Sequence, residues 1–147
     1  MKINKQLMAA VNLDPTRDSR PERIVDLCNQ IKNDRLTLPL YQRDMSWTLQ
    51  KCIDLLNYQM LGKSPVSAIS LNIIDDTETN IVPQVSFIER EILSNIKPGH
   101  RSVVDGQQRL TTNYKVYCNH PDIQSIVLDL GKGKFVSDDE ANRIENP

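Results

Sequence analysis

Ser102-Val103-Val104-Asp105-Gly106-Gln107-Gln108-Arg109-Leu110-Thr111-Thr112 decides how the rest of the chain is read. Ser102 to Val104 ends a short β-branched strand, Asp105-Gly106 makes a turn, and Leu110 onward is a helix. A strand that turns sharply into a helix leaves the first N–H groups of that helix without partners. They face whatever lies in the mouth of the turn. The same turn carries one carboxylate, two carboxamides and a guanidinium. Polar groups gathered beside an apolar strand cost free energy unless each finds a partner, and a ligand is one such partner. A plainer alternative stands beside this one: Asp-Gly is a common turn, Asp caps helices, and Gln and Arg are ordinary exposed helix residues.

A second stretch, Leu38-Pro39-Leu40-Tyr41-Gln42-Arg43-Asp44-Met45-Ser46-Trp47, sets a Pro and an aromatic before Gln-Arg, then a Trp that opens a helix. The two motifs together, in this order and with a strand and a turn between them, are far more specific than either alone. The Asp105-Gly106-Gln107-Gln108-Arg109 segment resembles the DGQQR signature of the family found at the N-terminus of GmrSD-type, modification-dependent restriction enzymes. The upstream stretch resembles that family's Gln-Arg pattern, and the resemblance runs from about Arg23 to Phe135.

Members of that family resemble the ParB/sulfiredoxin-like fold, so the resemblance implies an α/β (α+β) class, a small mixed sheet flanked by helices. It divides the chain into a flexible arm over 1–20 and a DGQQR-motif domain over 21–147, cut short at its C-terminal end. It also implies a polyanion pocket for a nucleoside triphosphate. Arg109 would hold phosphate oxygens through its fork of donors, and Arg43 would approach from the other side. Gly106 lets the backbone come close, the helix dipole adds to it, and Gln42 and Thr111 complete the nucleotide contacts. Gln107 and Gln108 would fix phosphates, an attacking water or a base edge. Asp105 would ligate Mg²⁺ or orient that water, with a helix cap as its plain alternative. The catalytic set implied is thus Asp105, Gln107, Gln108 and Arg109. Its geometric core is that Arg43 and Arg109, far apart in sequence, face one cleft.

Composition sets outer bounds. At 147 residues, 39% hydrophobic but only 5% aromatic, the chain suits one domain with a core of Ile, Leu and Val. Charged residues at 25% are ordinary for a water-soluble protein. A formal net charge of −1 does not announce a nucleic-acid binder, although a local cluster of Arg43, Arg101 and Arg109 is invisible in a total. Cys28, Cys52 and Cys118 lack paired spacing and read as reduced thiols. With no signal-peptide pattern and no apolar run long enough to span a bilayer, the expectation is a cytoplasmic protein without a membrane partner.

Along the chain, Pro21-Glu22 opens a helix whose Ile24, Leu27, Cys28 and Ile31 form a core stripe to about Asn33. Arg35 to Leu38 is a short strand, and Tyr41-Gln42-Arg43 an exposed loop after Pro39. Ser46 caps the next helix, which carries Leu49, Cys52, Ile53, Leu56 and Met60 on one face and stops at Gly62. Trp47 is read as a core anchor, with a stacking surface as the alternative. Val66 to Ile74 reads as a central strand and Asp75 to Asn80 as a polar loop. Ile81 to Pro98 reads as an insertion: Phe87-Ile88, Ile92 and Ile96 fit a helix, and Val85 to Ile88 also fits a strand. The helix after Gly106 runs to about Cys118 with Leu110, Tyr114 and Tyr117 inward. Ile123 to Leu130 is a strand, Gly131-Lys132-Gly133 a turn into Phe135-Val136, and Ser137-Asp138-Asp139-Glu140 starts a last helix.

Two tempting signals fall away. Gly131-Lys132-Gly133-Lys134 lacks the Ser or Thr of a P-loop and reads as a solvated hairpin turn. His100 and His120 have no zinc-ligand spacing around them. The His-Asn-His nuclease domain that many full-length relatives carry further along has no counterpart in these residues, so this chain alone is not expected to cut DNA. Two functions remain open: an NTP-hydrolysing domain of a restriction or anti-phage system, or a non-catalytic module that binds DNA, modified DNA or a partner subunit. The intact five-residue motif favours hydrolysis.

Overall fold

The computed structural model describes residues 19–42, 47–62, 68–74 and 82–145. Its first helix, α1 (Ile24–Lys32), buries Leu27, Cys28 and Ile31 as their spacing predicts, with Asp26 in its first turn and Lys32 in its last, the arrangement its dipole favours. The chain then enters β1 (Leu36–Pro39), whose four residues are all buried. Burial on both faces is explained by position, since β1 lies inside a four-stranded sheet of order β2-β4-β1-β3. Here β2 is Ser70–Ile73, β3 is Gln84–Val85 and β4 is Arg101–Asp105. The pair β1/β4 is parallel, whereas β1/β3 and β2/β4 are antiparallel, so the sheet is mixed. A parallel neighbour needs a crossover, and the crossover contains α2 (Leu49–Met60), β2 and β3.

After β4 comes α3 (Gln107–Tyr117), then a 3₁₀ turn (Pro121–Ile123), a hairpin of β5 (Ile126–Asp129) and β6 (Lys134–Ser137), and α4 (Asp138–Glu145). The core joins α1, the sheet and α3 through Leu27, Ile31, Leu36, Leu38, Val85, Phe87, Val103 and Leu110. The hairpin is tied to α2 by one side chain: Asn57 Nδ2 donates to the Phe135 carbonyl (2.9 Å), and its Oδ1 accepts from the Phe135 amide. Asn57 thereby satisfies one backbone donor and one acceptor of β6, as a neighbouring strand does. The α+β class with a small mixed sheet is therefore as expected.

Several local expectations are corrected. The strand within Val66 to Ile74 is not central: β2 lies at a sheet edge with Ile73 exposed, and residues 63–67 lie outside the described ones. No helix forms over the described part of 81–98. The apolar residues that mimic helical spacing are used otherwise, Val85 in β3, Ile92 in a single bridge to Val85, Phe87 in the core. Thr48 caps α2 by accepting from the Lys51 amide, two residues later than Ser46. Leu49 and Met60 are exposed at the ends of α2, and Tyr117 is exposed at the end of α3. The strand expected from Ile123 starts only at Ile126, because Pro121 sets a 3₁₀ turn first. The arm expected at 1–20 and the loop at 75–80 lie outside the described residues, apart from 19–20.

Candidate functional site

The site begins where β4 leaves the sheet. Ser102 and Val103 are buried, Val104 and Asp105 exposed, so the strand carries its last two side chains to the surface. Ser70 stands opposite Asp105 across an irregular register, a bulge of the kind that re-aims side chains near sites. Gly106 then caps α3 with φ 96°, a left-handed conformation that L side chains rarely adopt. Space also demands glycine: a Cβ there would lie 3.0 Å from Ile69 Cγ1 and 3.3 Å from Arg109 Nη2.

The amides of Gln107, Gln108 and Arg109 have no backbone acceptor among the described residues, and Leu110 is the first to return a bond, to the Gly106 carbonyl. Gln107 and Gln108 line, with Gln42, Trp47, Val104, Asp105, Gly106 and Arg109, an open hollow of about 370 Å³. Among the described residues the Arg109 guanidinium makes one bond, Nη2 to the Ala68 carbonyl at 3.1 Å. Its Nε is buried without a partner. Gln42 reaches the hollow from the opposite motif, its Nε2 donating to the carbonyls of Val103 (2.8 Å) and Val104 (3.3 Å). Two sequence motifs some sixty residues apart therefore meet at the head of α3.

That meeting sets Gln42 beside a glycine-opened helix start, while the shared cleft expected for Arg43 and Arg109 involves a residue outside the described ones. A family model described as the GmrSD restriction endonuclease N-terminal domain matches residues 24–146. The chain belongs to the GmrSD N-terminal domain family. Membership associates it with restriction and phage-defence systems. No curated protein and no solved structure matches the chain, and the ParB/sulfiredoxin likeness rests on motif resemblance alone.

Not every residue singled out from the sequence sits in the hollow of this GmrSD N-terminal domain. Arg43 lies outside the described residues. Thr111 is on α3 but does not line the hollow, although its Oγ1 is buried without a partner. Asp105 is exposed and does not cap α3, because Gly106 takes the capping position. Trp47 is absent from the core cluster and forms a wall of the hollow, which corrects its reading as a core anchor. Arg101 does not join the cation cluster. It starts β4, at the far end from Asp105, and forms a bidentate pair with Glu22 (2.7 and 3.0 Å) plus a bond to Gln30 Oε1. The hydrogen bond from Arg101, together with its charge, holds the Glu22 carboxyl below its ordinary pKa.

Three supporting residues escaped the sequence reading. Gln59 on α2 and Asn113 on α3 exchange amide bonds of 2.8 and 3.0 Å, and Asn113 Nδ2 also donates to the Arg109 carbonyl (2.8 Å). The i, i+4 spacing of Arg109 and Asn113 was the available signal; Gln59 had none. The third, Arg90, donates from Nη2 to the Gln42 carbonyl at 2.6 Å. Among the described residues no three His, Cys, Asp or Glu side chains gather as a metal cage. A Mg²⁺ that keeps most of its waters and shares phosphate oxygens needs only one or two carboxylates, and Asp105 at the rim fits that demand. No helix among the described residues is long and apolar enough to cross a membrane.

Proposed function

We propose that this domain binds a nucleoside triphosphate at the head of α3 and hydrolyses it, in the cytoplasm, as part of a restriction or anti-phage system. The observation that supports this reading best is Arg109: a guanidinium in the wall of the hollow with a buried Nε that no group among the described residues satisfies. A buried charged donor without an acceptor is costly, and a phosphate oxygen removes the cost. The three open amides of α3 add donors and a positive helix end beside it. In this reading Arg109 and those amides bind phosphate oxygens, with Arg43 as a second arginine for them. Gln42, Gln107 and Gln108 orient the ligand and the attacking water. Water adds to the γ-phosphorus and gives up a proton to solvent, the bond to the β–γ bridging oxygen breaks, and nucleoside diphosphate and phosphate leave. Asp105 would hold Mg²⁺, which when bound neutralises charge on the phosphate oxygens.

The test is equilibrium binding and phosphate release with the Mg²⁺ complexes of ATP, GTP, CTP and UTP. Arg109→Ala should weaken binding by roughly 10- to 100-fold, and Asp105→Ala should bind but not turn over. Binding that needs Arg109 with no turnover of any of the four would leave the alternative, a non-catalytic module for DNA or a partner. Binding indifferent to both substitutions would make the turn purely structural.

A further inference from the structure

Residues 82–98, the insertion before β4, pack against the loop that delivers Gln42. The Leu40 amide donates to the Pro83 carbonyl (2.8 Å), and β3 pairs Gln84 and Val85 with Pro39 and Leu38. Beyond β3, Arg90 turns back with φ 53°, a left-handed value that a long side chain seldom takes. From there its Nη2 donates to the Gln42 carbonyl at 2.6 Å and lies 3.5 Å from the Leu40 carbonyl. Its Nη1 is buried with no partner. Strain in the backbone and a desolvated donor are two costs that this position carries. What the arrangement does secure is the 40–42 turn. Gln42 in turn ties itself to the carbonyls of Val103 and Val104, the last residues before Asp105.

We propose that Arg90 is a positioning residue of the site: it clamps the Leu40–Gln42 turn and so fixes one wall of the hollow against the head of α3. This rests on the nucleotide reading for its purpose, but not for its geometry. The insertion thus serves as a brace, reaching the site through the backbone carbonyls of Leu40 and Gln42.

The chain has a single tryptophan, Trp47, in the same hollow, and its emission reports the wall directly. In the unliganded full chain, Arg90→Ala should raise acrylamide quenching of Trp47 about twofold while the protein stays folded by circular dichroism. Arg90→Lys, which keeps a donor, should restore part of the wild-type value. A general loss of stability moves neither quenching nor its rescue in the folded state. With Mg-ATP as ligand, Arg90→Ala should weaken binding several-fold, and combining it with Gln42→Ala should add little, because both act through one wall. Unchanged quenching in folded Arg90→Ala overturns the proposal, as does full additivity of the pair. If the wild type binds no nucleotide, the proposed function fails, while Arg90 is still judged on the quenching. If Arg90→Ala does not fold, Arg90→Gln is read in its place by the same criteria.

Discussion

Arg101 and Arg109 lie at opposite ends of one short stretch, β4 and the turn that follows it, and they are used in opposite ways. At the start of the strand, Arg101 is engaged by the fold: two bonds to Glu22, one to Gln30, and a side chain only 13% exposed. It links α1 to the sheet and has little left to offer a ligand. Past the end of the strand, Arg109 makes one bond to a carbonyl among the described residues and keeps a buried Nε unpaired there. A guanidinium closed by two acceptors belongs to the fold, whereas one left half-open beside a hollow is available for chemistry.

The most direct way to break that contrast is to truncate each in turn. Arg101→Ala leaves the partly buried Glu22 carboxylate with only the exposed Arg20 at 3.2 Å among the described residues and should cost about 1–2 kcal/mol in denaturant unfolding. The folded fraction should bind Mg-ATP normally. Arg109→Ala should leave the unfolding midpoint near the wild-type value and remove most of the binding. If the two variants exchanged these outcomes, the division of labour along β4 would be wrong.

Gly106 separates the two regimes, and it carries the next largest effect. Gly106→Ala puts a Cβ at positive φ and 3.0–3.3 Å from Ile69 and Arg109. A destabilisation of about 1–2 kcal/mol follows from the backbone alone. Because the guanidinium must also shift, nucleotide affinity should fall further than the same loss of stability causes elsewhere. A control such as Gly133→Ala, at φ 65° in open space of the β5–β6 turn, carries the strain without the displacement.

A smaller effect is expected at Gln59. Gln59→Leu removes the reciprocal amide pair, so that Asn113 Oδ1 loses its donor and Nδ2 keeps only the Arg109 carbonyl, for about 1 kcal/mol in unfolding. It also loosens the side chain that fixes the Arg109 carbonyl. The sign to look for is a modest affinity loss in a protein whose guanidinium is still present.

How legible this was in the sequence follows the range of the interactions. The strand, Gly106 and α3 were readable because β-branched residues, a turn glycine and a helical stripe are neighbours in the chain. The stripe of α1 was readable for the same reason. Arg101 was not separable from Arg109 on residue type, since its partner Glu22 is 79 residues away. In the 82–98 segment, Ile88, Ile92 and Ile96 repeat at helical intervals, but the short pairing of β3 with β1 and the bridge from Ile92 back to Val85 fix the chain instead. Positive φ at Arg90 leaves no trace in composition, and so the brace could not be anticipated. Trp47 was misassigned because a lone tryptophan at a helix start is usually core, and only the meeting of two motifs gave it a hollow to line.

The smallest effect concerns acid, and it distinguishes the two ends of the stretch without touching either arginine. The Glu22 carboxyl is held below its ordinary value of 4.5, chiefly by its hydrogen bond from Arg101. A carboxyl with a depressed folded pKa binds fewer protons in the native state than in the unfolded chain. Its contribution is therefore complete above pH 4.5 and is lost as pH falls through the depressed value. Wild type and Glu22→Gln should differ in unfolding free energy at neutral pH, and the gap should close as the solution is taken from about pH 5 downward. The difference between Arg109→Ala and wild type should stay flat over the same range, because no carboxylate is hydrogen-bonded to that guanidinium among the described residues. Parallel curves for Glu22→Gln and wild type would mean that the Arg101 pair adds no net stability, and that its guanidinium is closed only in geometry.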